Sequence, residues 1–326
     1  MTSPFESLEE FRETPWMNIF KKESTYNGPE HRLHHEILAY LMYMQQTPDE
    51  KRARELVMTE IRRVVHGRFY GAEIRLYGSS ATGLCLPTSD IGVAIKLPRI
   101  TEADVKRTLF QLSSQFRPAA LTSNVFVNHH AKVPILIFLD PLQAPSIDIN
   151  INDESGTRGV EVINGYLAQM PALRPLVLLL KGFLHQKRLS DAPRGALGSY
   201  ALVCLCIHFL QANPSNRPQE YIDKPMESES LGFLLIDFMF YYGLTFDYAT
   251  SYVSSATSPG RLLPLTEENE VLSIRCLFNP ENEIAKSVNK VRAFFQGFKD
   301  AYSTLLQLNL MDQTMLGQII RLDQKV

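Results

Sequence analysis

The residues able to do chemistry lie in two short strand-like stretches. Gly78-Ser79 follows the apolar run Ile74, Leu76 and Tyr77, Asp90 stands at the head of the next β-branched run, and Asp148 sits within Ser146-Ile147-Asp148-Ile149-Asn150. A Gly-Ser turn opening a helix offers backbone N–H groups and a hydroxyl to a polyphosphate. Asp148 alternates with isoleucines in a sheet position that normally rejects carboxylates, so it calls for a cation. Hard oxygen ligands of this kind suit Mg²⁺, or Mn²⁺ in its place, which binds through few carboxylates plus substrate phosphates. Positions 90 and 92 share one face of a strand, where a second carboxylate would complete a metal site, yet position 92 is Gly92. Each feature alone has an ordinary explanation: a turn, a turn cap after Thr88-Ser89, a solvated sheet face. Their combination points to a nucleotide phosphate held beside a metal.

The elements that must position these residues follow from periodicity. Strands are predicted at 72–77, 91–96, 123–128, 133–139 and 147–151, interrupted by a helix capped at Thr101-Glu102-Ala103-Asp104 and running to Phe116. Two helices precede them, one from Pro29 to Gln46 and one opened by the capping box Thr47-Pro48-Asp49-Glu50. Beyond residue 159 the pattern is helical, at 159–169, 173–187, 199–211, 230–243 and 286–311. The fold class is therefore α+β: a small mixed sheet with flanking helices, a helical domain, and a cleft between them for a ligand. Residues 1–66 are expected to form an N-terminal segment packing on the helical domain, with Trp16, Met17 and Phe20 as docking contacts. Residues 67–158 form the catalytic domain and 159–326 the helical one.

Composition narrows the class. The 326 residues carry 45% hydrophobic and 21% charged side chains and a net charge of −2, which argues against a general electrostatic grip on nucleic acid. Four cysteines without framework spacing are expected to be free thiols in a reducing compartment. The N-terminus lacks the pattern of a secretory signal, and no apolar run approaches the ~18 residues that span a bilayer, so no membrane role is expected. Cys204, Cys206 and His208 project about 200° apart in successive pairs on a helix and do not converge on a zinc.

Gly78-Ser79, the segment from Leu86 through Pro87 to Asp90-Ile91, and Ile147-Asp148-Ile149 resemble the nucleotidyltransferases of the DNA polymerase β superfamily. The run from Leu176 through Lys181 and His185 to Leu189, with Gly195-Ala196-Leu197-Gly198-Ser199-Tyr200, narrows the resemblance to template-independent poly(A) and poly(U) polymerases, nearest to the TRAMP type. Leu231-Gly232, Asp237, Tyr242-Gly243 and Asn279-Pro280-Glu281-Asn282 extend it over roughly residues 50 to 310. The resemblance implies a polymerase-β-like catalytic domain that adds nucleotides, adenylates from ATP or uridylates from UTP, to an RNA 3′ end in RNA surveillance or processing. Gly78, Ser79 and Ser80 would hold the triphosphate, and Asp90 and Asp148 match two of three metal-binding acids. Lys181 would meet the phosphates, with His185 one turn on facing the same way. Ser199 and Tyr200 lie at the nucleotide, Tyr200 stacking on the base, a sequence-tolerant contact. Gly156 falls where family members approach the ribose, although Ser155 replaces the usual asparagine. Asn282 belongs to the base-reading loop, whose continuation from Glu283 to Lys290 departs from the asparagine-rich family pattern. By analogy a zinc-knuckle RNA-binding protein and a helicase are expected partners, and the location is intracellular, nuclear or cytoplasmic, with the nucleus favoured.

The family's second acid, which bridges both ions, is Gly92 here. Loss of a bridging carboxylate removes about 4 kcal/mol of transition-state stabilisation, roughly a thousandfold in rate, so an inactive or strongly impaired chain is expected. Either an active enzyme has been inactivated at this position or the chain is a natural pseudo-enzyme serving as scaffold or regulatory subunit. Restoring Gly92→Asp should separate the two, by Mg²⁺-dependent extension of an RNA primer. A primer-independent second-messenger synthase is a third reading, disfavoured by the Lys181 and Tyr200 segments.

Overall fold

Alternation of side chains along two neighbouring strands separates a core face from a polar face. The computed structural model describes residues 13–23, 25–116, 124–131, 133–138, 146–190, 195–248, 251–254, 263–264 and 272–322. They fall into two compact units, one spanning Gln45–Gly165 and one combining the described residues up to Met44 with those from Tyr166 onward.

The Gln45–Gly165 unit is built on five strands, β1 (Glu73–Tyr77), β2 (Ile91–Lys96), β3 (Val125–Asn128), β4 (Ile135–Phe138) and β5 (Ile147–Ile151). Their order is β1-β2-β5-β4-β3, with β2 and β5 parallel and every other pair antiparallel. Ile91, Val93 and Ile95 of β2 and Ile147, Ile149 and Ile151 of β5 turn one way, into the core. The Glu102–Phe116 helix adds Val105, Leu109, Leu112 and Phe116 to that core. Gly92 and Ala94 on β2, and Asp148 and Asn150 on β5, turn to the opposite face, and the register aligns them in pairs. Ends of two predicted strands, at 123 and 139, lie outside the described residues.

The Pro48–Arg68 helix corrects the expected domain boundary. Its capping box is present, with Thr47 N–H donating to Glu50 at 2.7 Å and Glu50 N–H to the Thr47 hydroxyl at 3.2 Å. The helix packs within the sheet's unit and not with the helical one: Met58, Ile61 and Val65, spaced as one helical stripe, are buried in the same core as the β2, β5 and Glu102–Phe116 side chains. The unit therefore begins at Gln45, not at residue 67, and the Ser155–Gln169 helix crosses its other limit.

The second unit is helical, with helices Pro29–Tyr43, Leu173–Gln186, Ser199–Ala212, Leu231–Phe240 and Val291–Leu305. Every residue from Ala201 to Leu210 is buried, including Cys204, Cys206 and His208. The cysteines are free thiols, and the described residues hold no group of three or more metal-ligating side chains. Trp16 is fully buried against Tyr40, as its docking role requires. Several predicted helices are shorter than periodicity suggested, among them the one read as Pro29 to Gln46, which ends at Tyr43. The one read as 230–243 passes at Tyr241 into a π-helical turn ending at Thr245, and the one read as 286–311 starts only at Val291, after the Asn279–Glu283 strand that pairs with Arg275–Cys276 and a turn that follows it. The Pro/Gly/Ser-rich segment at 254–264 lies mostly outside the described residues. Among those residues no single helix is long and apolar enough to cross a membrane.

Candidate functional site

Gly78 makes the turn after β1 possible, because its φ of +64° is one that L side chains rarely adopt. Ser79–Thr82 then forms a single helical turn, in which Ala81 and Thr82 N–H donate back to the Gly78 carbonyl. The Ser80 hydroxyl donates to the Asp90 carbonyl at 3.3 Å, tying this turn to the strand that carries the acid. Arg54, from the Pro48–Arg68 helix, holds the other side of the connection by donating to the Pro87 and Ser89 carbonyls at 2.9 and 2.6 Å. Within it, Ser89 Oγ accepts from Leu86 N–H at 2.9 Å. The loop entering Asp90 is thus fixed from both ends.

Because β2 and β5 are parallel, Asp90, just before β2, and Asp148, second in β5, arrive at the same edge of the sheet. Ile91 N–H donates to the Ser146 carbonyl at 2.9 Å, and the Ser146 hydroxyl donates to Asp90 Oδ1 at 2.6 Å. Asp90 is exposed and Asp148 half-buried. Burial first, and then the negative charge of Asp90, push the Asp148 carboxyl up to about 6. Such a pair is relieved by a shared cation, so its donor chemistry fits one hard divalent ion, Mg²⁺ or Mn²⁺.

It does not fit two. Tyr77, Gly92 and Asp148 lie side by side across β1, β2 and β5. A Cβ placed on Gly92 lies 3.0 Å from Cε1, Cε2 and Cζ of Tyr77, so the aromatic ring covers the position where a third acid would start. Asn150, buried on the same face, comes within hydrogen-bonding reach of the Tyr77 hydroxyl, which burial and then Asp148 push up to about 12. The nearby acids do not compensate. Asp153 accepts from the Ser155 hydroxyl at 2.6 Å, and Glu154 pairs with Lys96 at 2.9 Å. Gly156 lies at the other side of the same ring, where an added Cβ would stand 2.9 Å from Tyr77 Cδ2.

The remaining predicted residues belong to the helical unit. Lys181 is half-buried in the Leu173–Gln186 helix, and His185 is exposed one turn later. Ser199, exposed, and Tyr200, half-buried, open the Ser199–Ala212 helix after an extended Gly198. The Tyr200 hydroxyl accepts from Leu277 N–H at 3.2 Å and meets Cys276 Sγ at 3.4 Å. That anchors the start of the helix to the hairpin bearing Asn282, which is half-buried on the Asn279–Glu283 strand. Glu283 organises this hairpin, accepting from Ile274 and Ala285 N–H at 2.8 and 2.9 Å and from the Ser273 hydroxyl.

Sequence reasoning missed Tyr77, Asn150, Ser146 and Arg54. Only Asn150, alternating with Asp148 in an apolar strand, carried a signal that could have found it.

A family described as "Poly(A) RNA polymerase, mitochondrial-like, central palm domain" matches residues 33–168. The chain is 31% identical over 303 residues to poly(A) RNA polymerase cid14 of Schizosaccharomyces pombe, covering 90% of this chain and 43% of that protein. It thus spans less than half the length of that relative. It is 30% identical over 312 residues to the inactive non-canonical poly(A) RNA polymerase protein Trf4-2 of Drosophila melanogaster, covering 90% of this chain and 74% of that one. Among solved structures, the polymerase core of TRAMP, an RNA surveillance complex, superposes with a TM-score of 0.80 at 25% identity, covering 94% and 98% of the two chains. With its mixed sheet, paired acids and helical unit, the chain belongs to the poly(A) RNA polymerase family of polymerase-β-like nucleotidyltransferases.

Proposed function

We propose that this chain is a nucleotide-binding but transfer-impaired RNA 3′-terminal nucleotidyltransferase. The observation that carries this reading is the row Tyr77–Gly92–Asp148, in which two acids remain and the third is glycine beneath an aromatic ring. Gly78, Ser79, Asp90 and Asp148 remain as the donors of a nucleotide-phosphate site within the Gln45–Gly165 unit, with ATP as the proposed nucleotide and one divalent cation between it and the two carboxylates. The substrate is an RNA 3′ end. A partner of the zinc-knuckle type, with a helicase, would deliver it, in keeping with the modest net charge of −2.

Retained donors speak for a pocket still built for nucleotide, as in an enzyme whose turnover is impaired; the alternative is a non-catalytic history, in which the chain serves a tailing complex as scaffold or regulatory subunit. Likeness to a relative named as inactive supports that alternative. The test is equilibrium binding of ATP, UTP, CTP and GTP in Mg²⁺, alongside extension of an RNA primer. The expected result is micromolar ATP binding, abolished by Asp148→Ala, with extension about a thousandfold below that of an intact three-acid site. Absence of nucleotide binding, or rapid extension by the chain as it stands, would overturn the proposal.

A further inference from the structure

Tyr77 is the neighbour of Gly92 in the antiparallel β1–β2 ladder, and Asp148 is its neighbour on the other side. The side chains of such a row share one face of the sheet. The space beside Asp148 that glycine leaves open is therefore covered by the ring, with Cε1, Cε2 and Cζ each 3.0 Å from where a Cβ on residue 92 would stand. Real Cβ contacts are looser, so a side chain at 92 requires the ring to give by a few tenths of an ångström. Retreat is limited on its other side, where Gly156 packs so closely that its own Cβ would fall 2.9 Å from Cδ2. At the tip of the ring, Asn150 reaches the hydroxyl. Asn150 is only 2% exposed and its Oδ1 has no hydrogen-bond partner. Two glycines and a buried amide thus form a slot for this one tyrosine.

We infer that Tyr77 has taken over the place of the missing acid: seated between Gly92 and Gly156, it leaves a site for one divalent cation per nucleotide, and reinstating the acid alone does not reopen the second. This inference rests on the nucleotide-site reading above. It makes Tyr77 a positioning residue whose removal is a second requirement for restoring the site. Substitutions at 77 and 92 are then strongly non-additive, as expected for side chains in contact.

The test counts Mn²⁺ bound per bound ATP, from the electron paramagnetic resonance of free Mn²⁺, and measures RNA primer extension. Four proteins are compared: the chain itself, Gly92→Asp, Gly92→Asp with Tyr77→Phe, and Gly92→Asp with Tyr77→Val. Phenylalanine removes the hydroxyl that Asn150 reaches and frees the ring to tilt, while valine removes the ring and keeps a β-branched residue in β1. The chain and Gly92→Asp should each hold one Mn²⁺ per ATP. At least one double variant should hold two and extend the primer about tenfold or more faster than Gly92→Asp. A second ion and full extension with Gly92→Asp alone, or no gain in either double variant over the single one, would overturn the inference. Failure of the nucleotide reading is distinct, since the unmodified chain would then bind no Mn²⁺·ATP at all.

Discussion

Arg32 and Glu36, one turn apart on the Pro29–Tyr43 helix, form an ion pair at 3.1 Å with 1% and 0% of their side chains exposed. The pair ties the C-terminal segment to this helix: Arg32 donates to the Leu310 and Gln313 carbonyls, and Glu36 accepts from the Thr314 hydroxyl and from Met315 and Leu316 N–H at 2.7–2.9 Å. Burial pushes the Glu36 carboxyl up, against the pull of these donors and of Arg32. Glu36→Ala strands a buried guanidinium and three donors, and should cost about 3–5 kcal/mol. Glu36→Gln keeps an acceptor and should cost about 1–3 kcal/mol. Urea unfolding of the three proteins checks this. Equal, small losses would mean that the network contributes little.

Asp148 makes stability pH-dependent. Its carboxyl is raised from 3.8 to about 6 by burial and by Asp90, so the folded state holds the proton more tightly than the unfolded chain. Between these values unfolding releases a proton, and stability falls as pH rises. Above about pH 6 the cost is fully present, about 1–2 kcal/mol after solvent screening of this half-buried group. In metal-free buffer Asp148→Asn should therefore be more stable than the parent at pH 7 and show a flatter profile from about pH 4 to 6. Mg²⁺ should recover the loss in the parent alone. Unfolding midpoints at pH 4.5 and 7, with and without the ion, decide the matter.

What could be read from the chain was its local periodicity. The alternation of Ile91, Val93 and Ile95 with Gly92 and Ala94, and of Ile147, Ile149 and Ile151 with Asp148 and Asn150, shows which face is core and which is polar. Thr47 and Glu50 announce the helix they cap. Register is different in kind. A two-residue hairpin fixes which residues pair, but β1 and β2 are joined by the long connection from Gly78 to Asp90, so nothing local sets Tyr77 opposite Gly92. Tyr77 therefore read as an apolar strand residue and not as the neighbour of the absent acid. Likewise, the stripe Met58, Ile61 and Val65 says that the helix packs on something, without saying on what. Glu36 carries no local signal of its burial, because its partners from Thr314 to Leu316 lie some 280 residues away.

Arg54 tests whether the loop before Asp90 needs to be held. One nitrogen at the tip of its guanidinium, Nη2, donates to both the Pro87 and Ser89 carbonyls, a point that a lysine ammonium on its shorter stem does not reach in the same way. Arg54→Lys should weaken Mg²⁺·ATP binding about threefold to tenfold, equivalent to about 1 kcal/mol, with little loss of global stability. Arg54→Ala should weaken it further. Isothermal titration with Mg²⁺·ATP measures both, and unchanged affinity in the alanine variant would show that Asp90 is placed by Ser80 and Ser146 alone.

Tyr200 separates stacking from anchoring. Its ring is the proposed platform for the base, while its hydroxyl accepts from Leu277 N–H and meets Cys276 Sγ, so the two contributions reside in different atoms. Burial keeps this phenol protonated well above neutral pH, so no titration complicates the comparison near pH 7. Tyr200→Phe retains the platform and loses the anchor, a cost of about 1 kcal/mol, which should weaken ATP binding about fivefold. Tyr200→Ala also loses stacking, about 1–3 kcal/mol more, and should weaken binding by a further fivefold or greater. Because stacking tolerates any base, the alanine variant should lose affinity for ATP and UTP by similar factors, whereas loosening of the hairpin that bears Asn282 should change their ratio in the phenylalanine variant. Binding constants for both nucleotides in the three proteins give the answer. If Tyr200→Ala binds ATP as tightly as the parent, the base does not lie on this ring.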